Sequence, residues 1–119
     1  MPDKASSLPS AAGPRPLIRK AFVFAVEPGQ ADEYQKRHNP IWPELSEVLK
    51  RHGAQAYSIF HHPETNQLFG YVEIEDEARW DAIAQTEVNR RWWKHMGDIM
   101  PSRNGRPIGQ ELREVFHLD

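Results

Sequence analysis

Apolar residues along this 119-residue chain switch between a spacing of two and a spacing of 3.6, and the order of those switches narrows the fold more than composition does. The first stretch, residues 18–26, alternates: Ile18, Phe22, Phe24 and Val26 share one face, and Ala21, Val23 and Ala25 the other. Pro28 and Gly29 close it with a turn. From about Gln30 the spacing becomes helical, with Tyr34, His38, Trp42, Leu45 and Leu49 on one stripe. Asn39-Pro40 and Pro43 interrupt the stripe, and a kink or restart is expected there because proline lacks an N–H and crowds the preceding turn. Gly53, after Lys50-Arg51-His52, is a stop signal, with cations where the helix dipole favours them.

Alternation returns over Gln55–Phe60 and Leu68–Ile74, joined through polar residues 61–66 as a hairpin. Asp76 is expected to cap a helical segment bearing Trp80, Ile83 and Ala84, and Thr86 its continuation through Val88, Trp92, Trp93 and Met96. Pro101 ends that helix, Asn104-Gly105 marks a turn in the loop Ser102–Gln110, and a last strand is expected over Leu112–Leu118. The order is β-α-β-β-α-β, an α+β, ferredoxin-like unit. Two helical segments cover one face of a four-stranded sheet. The other face is apolar as well, so a second copy packed sheet to sheet is expected, giving a homodimer of the dimeric α+β barrel type.

Composition sets the remaining limits. Residues 1–16 carry Pro, Ser, Ala and Gly with no periodic apolar pattern and no apolar core of a signal peptide, so they read as a disordered leader to a single domain over 17–119. A net charge of -2 gathers neither nucleic acid nor anionic lipid. The longest apolar run, Ala21–Val26, falls far short of the roughly 20 residues that cross a bilayer. The absence of cysteine removes disulfides, thiolate metal sites and thiol nucleophiles, and suits a reducing cytoplasm.

Six histidines are the candidates for chemistry near neutral pH. His52 lies in a last helical turn, where it serves the dipole, while His95 falls among charged helix residues and His117 near the C-terminus, both read as surface or structural. His61 and His62 are adjacent on a turn with no third ligand at recognisable spacing, so no metal is expected. His38 follows Tyr34 by one helical turn and precedes Asn39-Pro40, which fixes its direction. The residues alone leave it between a core histidine bonded to backbone and an acid–base group. Trp92 and Trp93 diverge by about 100° on a helix, so the pair is either core packing or one core ring beside a platform for an uncharged ligand.

Longer blocks narrow the reading. Residues 18–22, Glu33-Tyr34-Gln35, Arg37-His38-Asn39-Pro40-Ile41-Trp42-Pro43-Glu44-Leu45, His52-Gly53-Ala54, residues 72–75, Arg79-Trp80, Arg91-Trp92-Trp93-Lys94, residues 98–101 and residues 112–116 together resemble the L-rhamnose mutarotase family. The resemblance runs from Ile18 to the end, with the loop Ser102–Gln110 matching loosely. It implies a cofactor-free, dimeric α+β barrel enzyme that interconverts the α and β anomers of L-rhamnose. It also implies a proton donor at His38 and sugar-binding roles for Tyr34, Tyr57, Trp92 and Trp93. Two other classes share the architecture or the aromatic supply: a cofactor-free monooxygenase or haem-binding protein, and a sugar-binding module without catalysis.

Overall fold

The computed structural model describes residues 16–119, so the expected leader lies, but for Pro16, outside the described residues. The elements are β1 (Ile18–Ala25), α1 (Ala31–Arg37), α2 (Pro43–Arg51), β2 (Ala54–His61), β3 (Gln67–Ile74), α3 (Glu77–Ala82), α4 (Glu87–Met96), β4 (Ser102–Arg103), β5 (Arg106–Pro107) and β6 (Gln110–Leu112). One antiparallel sheet has the order β2-β3-β1-β6. This is the ferredoxin-like arrangement, with the last strand beside the first. The fold is α+β.

Side chains on β1 and β3 divide by the pleat. Lys20, Phe22 and Phe24 lie opposite Val72, Gly70 and Leu68, on the face that the helices cover. Ala21 and Val23 lie opposite Tyr71 and Phe69 on the other face. A bulge between Ala54 and Tyr57 adds one residue to β2. Ala54 opposite Ile74 and Tyr57 opposite Val72 therefore share the helical face although three positions separate them. Gly70 is needed where it stands: a Cβ there would lie 2.3 Å from the Phe22 ring. The core joins Val26, Leu68, Tyr34, Leu45, Val48, Ile83, Val88, Trp92 and Met96.

The caps are as expected. The Asp76 carboxylate accepts from the Arg79 N–H at 2.9 Å, and the Thr86 hydroxyl accepts from the Asn89 N–H at 3.4 Å. The helical stripe from Gln30 is two helices: α1 stops at Arg37, and α2 starts with Pro43 in its first turn, where a missing N–H costs nothing. His38 is thus the C-terminal cap of α1 and not a mid-helix residue.

Two expectations for the C-terminal part are corrected. The loop Ser102–Gln110 contains the small hairpin β4–β5, turned by Asn104 (φ 55°) and Gly105 (φ 74°), as a tight hairpin requires. The last strand is Gln110–Leu112, paired with Val23–Ala21, and not Leu112–Leu118. Residues beyond it have no regular structure, though Glu114 is tied to Arg19 through contacts of 2.9 and 3.1 Å. Val115, Phe116 and Leu118 are 76–80% exposed. They meet no covering surface among the described residues, so no burial holds the longer pairing.

Candidate active site

Between the helices and the inner sheet face lies a cavity of about 1030 Å³. Phe22, Phe24, Tyr57 and Ile59 from the sheet form one wall, and Tyr34, His38, Trp92 and Trp93 from α1 and α4 the other. All five residues singled out from the sequence therefore line one cavity, although two helices and the edge strand β2 supply them.

His38 is held on three sides. Its ring stacks on Tyr34 with centroids 4.4 Å apart, meets the edge of Trp92 at 5.1 Å, and binds the Tyr34 carbonyl through Nδ1 at 2.8 Å. A carbonyl oxygen only accepts, so Nδ1 carries the hydrogen and Nε2 of the neutral ring keeps its lone pair. Burial lowers the His38 pKa below its ordinary 6.5, and the carbonyl bond opposes this only in part. The resting side chain at neutral pH is an uncharged imidazole with one open nitrogen.

The backbone beneath His38 is clamped by its neighbour. Arg37 donates to Glu33 on α1 at 2.8 Å, to both Asp98 oxygens at 2.9 and 3.1 Å, and to the His95 carbonyl at 2.7 Å. Asn39 caps the helix end from the side chain, donating to the Gln35 carbonyl at 2.8 Å. The end of α1 is thereby fixed to the end of α4, which carries the tryptophans.

Of the three tyrosines, Tyr71 donates to Glu73 at 2.9 Å, on the sheet face away from the cavity. The hydroxyls of Tyr34 and Tyr57 have no such bond among the described residues. Burial, with a smaller contribution from Tyr57, pushes the Tyr34 phenol well above its ordinary value, and burial does the same to Tyr57. Both are neutral O–H groups, able to donate to and accept from a sugar hydroxyl. Tyr57 is steadied by edge contacts with Phe22 at 6.0 Å and Trp80 at 5.9 Å.

The two tryptophans have different surroundings. Trp92 is 7% exposed and packs against His38, Trp42 at 5.1 Å and His95 at 5.6 Å. Trp93 is half-buried, with the Arg106 guanidinium 4.8 Å from its ring centroid. Sequence reasoning did not single out Lys20, Arg37, Asn89 or Arg106. Lys20 is 9% exposed at the cavity wall and bonds Glu77 and, at 3.0 Å, Glu111. Burial disfavours its charge, but the two carboxylates outweigh burial and raise its pKa. The signal for Asn89 was present: it precedes Trp92 and Trp93 by three and four residues, the spacing of one helix face.

A family model described as L-rhamnose mutarotase matches residues 19–118. The chain belongs to the L-rhamnose mutarotase family. It is 64% identical over 104 residues to the L-rhamnose mutarotases of Opitutus terrae and of Pectobacterium atrosepticum, covering 87% of this chain and 100% of each relative. The crystal structure of the L-rhamnose mutarotase from Formosa agariphila matches with a TM-score of 0.79 at 36% identity, over 86% of this chain and 99% of that one. A putative antibiotic biosynthesis monooxygenase from Nitrosomonas europaea matches with a TM-score of 0.57 at 10% identity, over 82% of this chain and 89% of that one. That second likeness is of fold alone. The family is one of isomerases acting on a carbohydrate, and the monooxygenase alternative keeps only a shared architecture.

Proposed function

We propose that this mutarotase interconverts the α and β anomers of L-rhamnose in the cavity between sheet and helices, with His38 Nε2 as the atom that exchanges protons with the sugar. The observation that carries this reading is the His38 ring, fixed by Tyr34 and Trp92 and satisfied at Nδ1, with Nε2 the remaining nitrogen. Nε2 takes the proton of the anomeric hydroxyl. The bond between C1 and the ring oxygen breaks as the C1 carbonyl forms, and the imidazolium returns its proton to the released ring oxygen. Both oxygens hang on C1, so one nitrogen reaches both. The open aldehyde turns about C1–C2, and the same steps in reverse close the ring on the other face. Neutral Tyr34 and Tyr57 hydroxyls stabilise negative charge on the sugar oxygens without giving up their own protons. Trp93, the more open of the pair, offers its ring face to the C–H side of the sugar, and Trp92 chiefly orients His38. Saturation-transfer NMR between the two anomeric protons of L-rhamnose, with wild type and with His38→Ala, tests the reading. Exchange accelerated by wild type and lost in the folded variant supports it, and equal acceleration by both overturns it.

The working unit in this reading is a homodimer in the cytoplasm. Support for the dimer comes from the apolar sheet face that no helix covers among the described residues, from Phe60 at 66% exposure on it, and from the exposed apolar side chains after β6. A cysteine-free chain suits the reducing cytoplasm.

A further inference from the structure

Asn89 sits in the first turn of α4, 6% exposed, in the cavity wall beside Ile83, Trp92, Trp93 and Met96. Its Nδ2 is shut off from solvent and has no hydrogen-bond partner among the described residues. Its backbone N–H is occupied by the Thr86 cap, so the side chain contributes nothing to helix initiation. A carboxamide in this position is costly twice over. Asparagine is a poor helix former, and a buried amide without a partner retains its desolvation penalty. A leucine would fill the same volume of an otherwise apolar corner without either cost.

We infer that Asn89 is a substrate-positioning residue whose carboxamide hydrogen-bonds a hydroxyl of the bound sugar, the partner it lacks within the protein. The inference rests on the reading of this cavity as the sugar site. The chemistry matches: a hydroxyl both donates and accepts, and a carboxamide carries a donor and an acceptor that exchange positions when it turns about its Cβ–Cγ bond. Being uncharged, it recognises a neutral sugar without selecting an acid. Its place one helical turn before Trp92 and Trp93 sets a hydrogen-bonding group beside an aromatic platform, so that one stacks on a C–H face while the other fixes the sugar's rotation about it. Selection for a hydroxyl is the sharper of the two, because a site built to bond one rejects the analogue lacking it far more strongly than an apolar pocket rejects an extra one.

The test compares Asn89→Leu and Asn89→Ala with wild type and His38→Ala, reading melting temperature and the L-rhamnose concentration dependence of anomer exchange by NMR. Asn89→Leu is expected to melt at or above the wild-type temperature. KM should rise about 5- to 100-fold, the effect of facing a buried hydroxyl with an apolar group, and kcat should stay within about threefold, as for a contact made equally in ground and transition states. Asn89→Ala should raise KM similarly whatever its stability. A KM within about twofold of wild type in both folded variants overturns the inference, and so does an Asn89→Leu protein that loses melting temperature and keeps KM. If His38→Ala also leaves exchange untouched, the cavity reading itself fails. If His38→Ala abolishes exchange while the Asn89 variants bind normally, only the role of Asn89 falls.

Discussion

In the proposed mechanism His38 works through what its other nitrogen is denied. Bound to a carbonyl that cannot give a hydrogen, Nδ1 never releases its own while the ring is in place, so acid–base traffic is confined to Nε2. His38→Ala should reduce catalysed exchange by roughly 10²- to 10⁴-fold, with a native circular dichroism spectrum. The pH profile follows from the lowered pKa. In the proposed mechanism the active form is the neutral imidazole, so the rate is expected to hold steady through neutrality and to fall only as pH drops through a value below 6.5. The stability linkage has the same sign. Between the folded and unfolded pKa values the unfolded chain binds more protons at this site, so acidification weakens the fold. A rate profile that instead rises steadily from pH 8 down to pH 5 would show a resting imidazolium as the active form. Beside it, Trp93→Phe keeps an aromatic body but loses stacking area, and Tyr57→Phe loses one hydroxyl. Each should leave the far-ultraviolet spectrum intact and weaken L-rhamnose binding, the tyrosine change by about 0.5–1.5 kcal/mol, as measured by titration of tryptophan fluorescence.

The elements hold these residues through a few constraints that differ in how visible they were beforehand. Arg37 joins α1 to the end of α4 through one guanidinium with 14% side-chain exposure. Arg37→Ala is expected to cost about 1.5–3 kcal/mol, the scale of hydrogen bonds to charged groups, and to slow exchange by loosening the end of α1 under His38. Chemical denaturation and NMR exchange read the two effects. Gly70→Ala sets a methyl against the Phe22 ring and should cost about 1–3 kcal/mol as overpacking, unless Phe22 swings into the cavity and takes up sugar space instead. The alternation in β1 and β3, the Asp76 and Thr86 caps and the break at Pro43 were readable because each depends on neighbours within a turn or a pleat. The bulge before Tyr57, the Arg37–Asp98 tie and the end of β6 at Leu112 were not, since each is decided by a segment far along the chain. The candidate site shows the same division. His38, Tyr34 and the tryptophan pair stood out by spacing and by family resemblance, whereas the spacing of Asn89 put it on the tryptophans' helix face but its lack of a partner is visible only in the three-dimensional packing around it.

At the scale of the whole molecule, the helices of the described residues all lie on one side of the sheet, and among those residues the other side ends in open apolar surface. Size-exclusion chromatography with light scattering should give a particle near twice 13.8 kDa at micromolar concentration. Val23→Asp, which sets a charge on the uncovered face, should shift it toward monomer; a wild-type protein that is monomeric and fully active would overturn the dimer. The two sides of the sheet have a consequence for how the sequence can vary. Along β1 and β3 the even-numbered positions, such as Phe22 and Gly70, lie on the face of the cavity proposed for the sugar, and the odd-numbered ones, such as Val23 and Phe69, on the face proposed for a second copy. After the bulge β2 follows the opposite parity, with Tyr57 and Ile59 inward and Phe60 outward. In the proposed reading, turnover and assembly are thus written in alternate letters of the same strands. A drift in one set can alter what the enzyme accepts while its pairing is untouched, and a single inserted residue in β1 would exchange the two scripts at once.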